Sequence, residues 1–396
     1  MSFASYFRDR TIWVALAALC LALDASAVPF LPTDDAQVLE QLPARNTPQY
    51  RQLKSLQAAA AQAPADPGLA TRLATAYIRA SRVEGDPRFL GYAQAALSPW
   101  WKDPQAPTPV LVLRATILQS SHQFDAALAD LALVMQREPR NAQAALTTAT
   151  VLTVQGKYAE AREACRKLSD IGPDIYRAIC IAGVDSMAND AWRAYATLTD
   201  AIARAPRADA AARIWGETLA GEIAHRLGDP AAESHFKTAL NAGERDNYLL
   251  GAYADWLLDQ GRATEVVALL GRETRVDALL LRLALAQRAS RDPGAAASIA
   301  MLRERFEASH ARGDTVHQRE NARFELFLGS GATSALPYAV ANWQVQREAA
   351  DLRILAEAAA AAHDAKALAL AQQWMGESGL EYPAVARTLE SARSPK

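Results

Sequence analysis

The chain has 396 residues, with 42 Lys and Arg against 44 Asp and Glu, a formal net charge of −2, and a composition that is 51% hydrophobic but only 7% aromatic. A balance this close to neutral implies no strongly basic face and argues against nucleic acid as the main partner. The apolar share is carried largely by alanine, which has the highest helix propensity and lets helices pack closely, so a helical protein is expected.

Residues 1–27 read as a signal peptide. Arg8 and Arg10 precede an uncharged apolar run from Thr11 to Leu23, and Ala25-Ser26-Ala27 supplies the small residues that signal peptidase needs before Val28-Pro29. The run is too short to span a bilayer, which takes about 20 apolar residues. Cys20 follows Leu19 rather than a small residue, so a lipoprotein signal is not expected. The expectation is a periplasmic or secreted protein with no transmembrane span in the mature chain; an uncleaved amphiphilic N-terminus is the alternative. Residues 28–66 follow as a polar lead-in with a helical stretch, Tyr50 to Ala63, placed to cap what comes next.

From residue 67 the chain reads as helix pairs. Leu69, Leu73, Ala76 and Tyr77 give one helix face, Gly85-Asp86-Pro87 breaks it, and Phe89, Tyr92, Ala93, Ala96 and Leu97 give the returning face. Trp100-Trp101 then stand in a proline-rich connection, either as a binding hot spot or packed over the end of the helix pair. The next unit carries Leu111, Ala115 and Leu118, then Phe124, Ala127, Leu131 and Val134 before Pro139. The one after it carries Ala145, Thr148, Ala149 and Leu152, a stop at Gly156, and Tyr158, Ala161, Cys165 and Leu168 before Gly172-Pro173. Pro139, Pro173 and Pro206 recur at a period near 34 residues, the signature of a helix-turn-helix array.

These two adjacent units, in one register, resemble the tetratricopeptide repeat (TPR) family. The chain departs from that pattern at Ala145, where a large residue is usual, and at Arg114 and Thr148, where leucine is favoured. Repeats are expected over 67–274 and, in degenerate form, over 275–392, with turns at Gly228-Asp229-Pro230, Gly261, Asp292-Pro293-Gly294, Gly329-Ser330-Gly331 and His363-Asp364. The expected fold is all-α, about nine antiparallel helix pairs. The resemblance implies a right-handed α-solenoid whose first helices line a concave groove.

After signal removal only Cys165 and Cys180 remain, equidistant from the turn at Gly172-Pro173. Two antiparallel helices joined there would bring both to one level, where they form either a disulfide or two buried thiols. Six histidines (His122, His225, His235, His310, His317 and His363) show no HExxH spacing, and Gly329-Ser330-Gly331 lacks the lysine and spacing of a phosphate loop. His310, His317 and Glu320 share one polar segment that offers the best metal-like grouping, with chance surface placement the competing account. No catalytic residue, cofactor or metal is expected.

In the register of the resembled family, the groove carries Val112, Thr116 and Gln119, then Leu146, Thr150 and Thr153, then Thr218, Glu222 and His225, then Asp255 and Asp259. Its first half is small and neutral; its second half is acidic and suited to a basic peptide. It lacks the lysine and asparagine pairing with which some family members clamp a terminal carboxylate. The expectation is an interaction scaffold for a protein or peptide partner. The rivals are a structural subunit of an envelope complex, a metal- or small-molecule-binding solenoid, and an enzyme.

Overall fold

The structure is a computed structural model and describes Asp34 and residues 47–169, 171–188, 190–243 and 246–392. The expected signal peptide lies outside the described residues. The described residues from Gln52 onward belong to one compact unit.

All regular structure among the described residues is helical. An opening helix, α1 (Pro48–Gln62), precedes nine helix pairs. These are α2 (Pro67–Glu84) with α3 (Arg88–Ala96), α4 (Thr108–Ser120) with α5 (Phe124–Arg137), α6 (Ala142–Val154) with α7 (Tyr158–Arg166), and α8 (Asp174–Asp185) with α9 (Ala191–Arg204). Next come α10 (Ala210–Leu227) with α11 (Ala232–Asn241), α12 (Asn247–Asp259) with α13 (Ala263–Leu270), α14 (Asp277–Ser290) with α15 (Ala295–Ala311), α16 (Gln318–Phe327) with α17 (Ala332–Val345), and α18 (Ala349–Ala361) with α19 (Ala365–Ser378). A last helix, α20 (Pro383–Ser391), closes the series.

Local chemistry sets these boundaries. Asp66, Asn141, Asp209, Asp246 and Asp364 each cap a helix by accepting backbone N–H bonds with their side chains. Gly85, Gly156, Gly228 and Gly261 take the left-handed conformation between the helices of their pairs, where a Cβ would be strained. His122 and His363 adopt the same conformation without being glycine.

One departure from the resembled pattern, Arg114, has physical partners. Arg114 is buried and forms a two-point ion pair with Asp130, both contacts at 2.6 Å; its remaining nitrogen donates to the carbonyls of Trp100, Trp101 and Asp103. That guanidinium pins the tryptophan connection, a short 3₁₀ turn at Ser98–Trp100, over the end of the first pair. Trp100 and Trp101 pack against the core, so packing is their role here.

Within residues 52–396 the array folds back on itself. The turn of the first pair reaches the sixth and seventh: Asn247 Nδ2 donates to the Arg82 carbonyl at 2.8 Å, and Gly85 abuts Val276 so closely that no side chain fits. The turn of the third pair reaches the eighth and ninth in the same way. Arg347 N donates to the Val154 carbonyl at 2.7 Å, and Gly156 abuts Trp374. One apolar core accordingly joins Ala149, Tyr158, Cys165 and Val184 to Trp343, Leu352, Leu355 and Leu380.

The two cysteines are bonded. Cys165 on α7 and Cys180 on α8 lie 5.6 Å apart at Cα with an S–S distance of 2.01 Å. The turn geometry read from Gly172-Pro173 does bring them to one level.

Candidate functional site

The residues assigned to the second half of the groove come together on the first helices of successive pairs. Glu222 and His225 lie on α10, Tyr248, Asp255 and Asp259 on α12, Arg282 on α14, Arg323 on α16 and Arg353 on α18. Helical spacing does this: Asp255 and Asp259, four residues apart, share a face of α12, as Glu222 and Arg226 share a face of α10.

Every acid in this set already has a partner from the same chain. Asp255 binds Arg282 at 2.5 Å and Arg323 at 2.7 Å. Asp259 receives Arg353 through two nitrogens, at 2.6 and 2.8 Å, and His225 Nε2 at 2.8 Å. The Tyr248 hydroxyl donates to Glu222 at 2.6 Å. A second knot lies beside these, with Arg319 bridging Glu348 at 2.8 Å and the fully buried Asp351 at 3.2 Å.

The electrostatics follow from those partners. Burial alone would raise the Asp255 carboxyl, but the Arg282 and Arg323 charges outweigh it and hold it at about 2. Burial is likewise overcome at Asp259, where the bonds from His225 and Arg353 hold the carboxyl well below its usual range. Glu222 has no cation bonded to it. Burial pushes it up to about 7, against the opposing bond from Tyr248. Tyr248 is 64% exposed to water while Glu222, Glu348 and Arg319 act on it, so its ring faces water among charges from three different pairs.

This arrangement changes the reading of the acidic groove. The basic groups complementary to Asp255 and Asp259 are the chain's own arginines, delivered by the seventh, eighth and ninth pairs, and the carboxylates are not free charges facing a ligand. The neutral half is also altered. Thr116 is buried, and the hydroxyls of Thr116, Thr150 and Thr153 donate to carbonyls one turn back in their own helices, at 2.9, 3.0 and 2.8 Å. Gln119 is half-buried at the end of α4.

Elsewhere, Tyr195 Oη meets His235 Nε2 at 2.8 Å and His235 Nδ1 meets the buried Glu217 at 2.7 Å, a relay that ties α9 to both helices of the fifth pair. His310 stacks on Tyr338 with ring centroids 5.3 Å apart, and His317 stands 4.0 Å from Asp314. Among the described residues no group of three His, Cys, Asp or Glu side chains is placed to hold a metal ion. A surface cleft of about 560 Å³ beside α8 and α9 contains Arg162, Arg166 and Arg193, and each arginine is spent on a neighbouring carboxylate, at 2.6, 3.1 and 2.8 Å. No described helix is long and apolar enough to cross a membrane.

Sequence reasoning passed over Arg282, Arg323 and Arg353. They occupy first helices of the pairs read as degenerate, and that position was the one available signal; their partners lie 27, 68 and 94 residues away.

Comparison with known proteins matches residues 118–179 to the tetratricopeptide repeat family. That segment runs from the end of α4 through the third pair into α8. No curated protein matches the chain. Among solved structures, a tetratricopeptide repeat protein from Parabacteroides merdae is 16% identical, covers 64% of this chain and 91% of its own, and has a TM-score of 0.44. A Rap protein complexed with competence and sporulation factor is 14% identical, covers 87% and 97%, and has a TM-score of 0.43. Human IFIT1, as a dimer with PPP-AAAA, is 13% identical, covers 87% and 86%, and has a TM-score of 0.45. Residues 118–179 thus match the tetratricopeptide repeat family, and antiparallel helix pairs continue on either side of the matched segment.

Proposed function

We infer that this protein is an exported, non-enzymatic interaction scaffold that holds a protein partner on exposed aromatic side chains rather than on the acidic residues of its concave face. The carrying observation is the contrast between the two surfaces. Asp255 and Asp259 are ion-paired inside the chain, whereas Trp192 on α9 stands 50% exposed beside Tyr195, with ring centroids 6.4 Å apart. Tryptophan and tyrosine supply large contact area at low entropic cost and are enriched where proteins bind one another. This contact mode suits a subunit of an envelope assembly. Tyr248, exposed on α12 beside Glu222, favours a second reading in which a peptide binds there.

The Cys165–Cys180 bond supports export, because disulfides persist in oxidising compartments such as the periplasm. Intact mass of the protein recovered from a periplasmic fraction tests this, with a chain beginning at Val28 expected.

Affinity capture from an envelope extract at low and moderate salt tests the scaffold. A partner retained at moderate salt and lost with Trp192→Ala supports the aromatic surface. A salt-sensitive partner lost with Tyr248→Ala, or with joint replacement of Glu222, Asp255 and Asp259 by alanine, assigns binding to the groove. Failure to enrich any protein at either salt counts against a scaffold.

A further inference from the structure

The cleft beside α8 and α9 gathers residues of three consecutive helices around one space of about 560 Å³, within the roughly 300–1,000 Å³ common to ligand sites. Arg162 and Arg166, one turn apart, share a face of α7, and Arg193 and Thr197 share a face of α9. Ile181 and Ala182 of α8 add apolar surface to the same space. The Cys165–Cys180 bond ties α7 to α8 directly beside Arg166 and Ile181, so these two helices are held at a fixed separation before any ligand arrives.

The ion pairs in the cleft each engage one guanidinium nitrogen. Arg162 Nε meets Asp185, Arg166 Nη1 meets Glu163, and Arg193 Nε meets Asp190. Two nitrogens on each arginine are left without a partner among the described residues. Both oxygens of Asp190 are taken, one by the Arg193 side chain and one by the Arg193 backbone amide at 3.2 Å. The spare hydrogen-bonding capacity of the cleft is thus dominated by donors. On Arg162 and Arg193 it includes both terminal nitrogens, the fork that grips a carboxylate at two points. The pairs of Arg166 and Arg193 join residues three apart on an exposed surface, where such pairs contribute little, so they yield readily to a better-placed carboxylate.

The lining selects among anions. A nucleic acid needs aromatic faces on which bases stack, and no aromatic side chain lines the cleft, while Asp185 and Asp190 oppose a backbone charged at every nucleotide. A single small anion fills little of the space. A peptide supplies carboxylates separated by neutral backbone, the spacing that suits guanidiniums interleaved with apolar side chains.

We propose that this cleft binds a short acidic segment of a protein partner, whose Asp or Glu carboxylates are received by Arg162, Arg166 and Arg193. The segment belongs to the partner of the scaffold reading, on which this assignment rests, but it does not share the aromatic contact. Tyr195, beside Trp192, bonds His235 of α11, whereas the cleft lies between α9 and α7.

Fluorescence anisotropy of labelled hexaglutamate, titrated with the purified full chain at pH 7 and constant low ionic strength, tests the cleft. Saturable one-to-one binding is expected, with labelled hexalysine not bound and with free glutamate a far weaker competitor. Replacing Arg166 and Arg193 together by alanine removes two exposed side chains and should weaken binding at least tenfold, the effect of one or two charge-assisted hydrogen bonds. Replacing the exposed Arg303 and Arg312 together by alanine changes the net charge equally and should leave binding intact. Circular dichroism and melting temperature establish that both double variants fold. Trp192→Ala should bind hexaglutamate as the native chain does. Absence of saturable binding overturns the proposal, as does equal binding by the two double variants, and so does binding of hexathymidylate or free glutamate as tight as that of hexaglutamate. A native chain that captures a partner through Trp192 but binds no hexaglutamate overturns the cleft assignment alone and leaves the scaffold reading standing.

Discussion

At the scale of single residues, the Cys165–Cys180 bond and Gly156 make the sharpest claims. The bond spans 15 residues, and closing a loop of that size stabilises by about 3 kcal/mol in the chain-entropy model. Replacing both cysteines with serine should lower unfolding free energy by about that amount in urea titrations, and adding reductant to the native protein should reproduce the loss. Gly156 combines a left-handed backbone, φ 76°, with contact against Trp374, so a Cβ there meets both backbone strain and a ring held under Arg347. Gly156→Ala should therefore cost about 1–3 kcal/mol. Gly228→Ala, at a similar φ but with open space around the missing Cβ, should cost less. Equal losses in the two variants would mean that the contact across the array contributes nothing. The stop at Gly156 was legible from sequence as a helix end. Its second role was not, because Trp374 lies more than two hundred residues away.

Among the helices, α12 is the hub. Asp255 and Asp259 tie it to α10, α14, α16 and α18, so one helix face gathers four others. Carboxyls held below their ordinary range contribute stability that is complete above about pH 4 and is lost as pH falls toward 2. Arg323→Met should lower stability at pH 6 and make the decline between pH 4 and 2 shallower, as followed by denaturant midpoints across that range. Glu222 has the opposite sign. Its carboxyl is raised to about 7, so its contribution is full below about pH 4.5 and is lost as pH rises through 7. Glu222→Gln should therefore gain on the native protein progressively between pH 5 and 8, and a difference that does not change with pH would show that the acid titrates normally.

For the whole array, what matters is that distant pairs share a core. In an open solenoid each repeat contacts only its neighbours, and removing the last one subtracts little more than its own stability. Here Leu352, Leu355, Ala371 and Leu380 pack in the same cluster as Ala149, Tyr158 and Cys165. Truncation after Glu348 should thus uncover the third and fourth pairs as well as the eighth. The expected result is a lower, less cooperative melting transition together with binding of a hydrophobic dye. A shorter chain that melts cooperatively, with only a small loss, would show that the fold-back contacts are dispensable.

The sequence by itself determined the helix pairs, their number and most of their turns, since capping aspartates, left-handed glycines and helical spacing of small apolar residues act within a few residues of one another. It also placed Cys165 and Cys180 at one level, because a single turn relates them. Partnership across the array was decided only by the tertiary structure. Nothing near Asp255, Asp259 or Tyr158 in the chain signals Arg323, Arg353 or Trp374. Those relations arise when the third and sixth pairs meet the eighth and ninth, and that meeting depends on small rotations accumulated over as many as five intervening pairs, which no local pattern encodes.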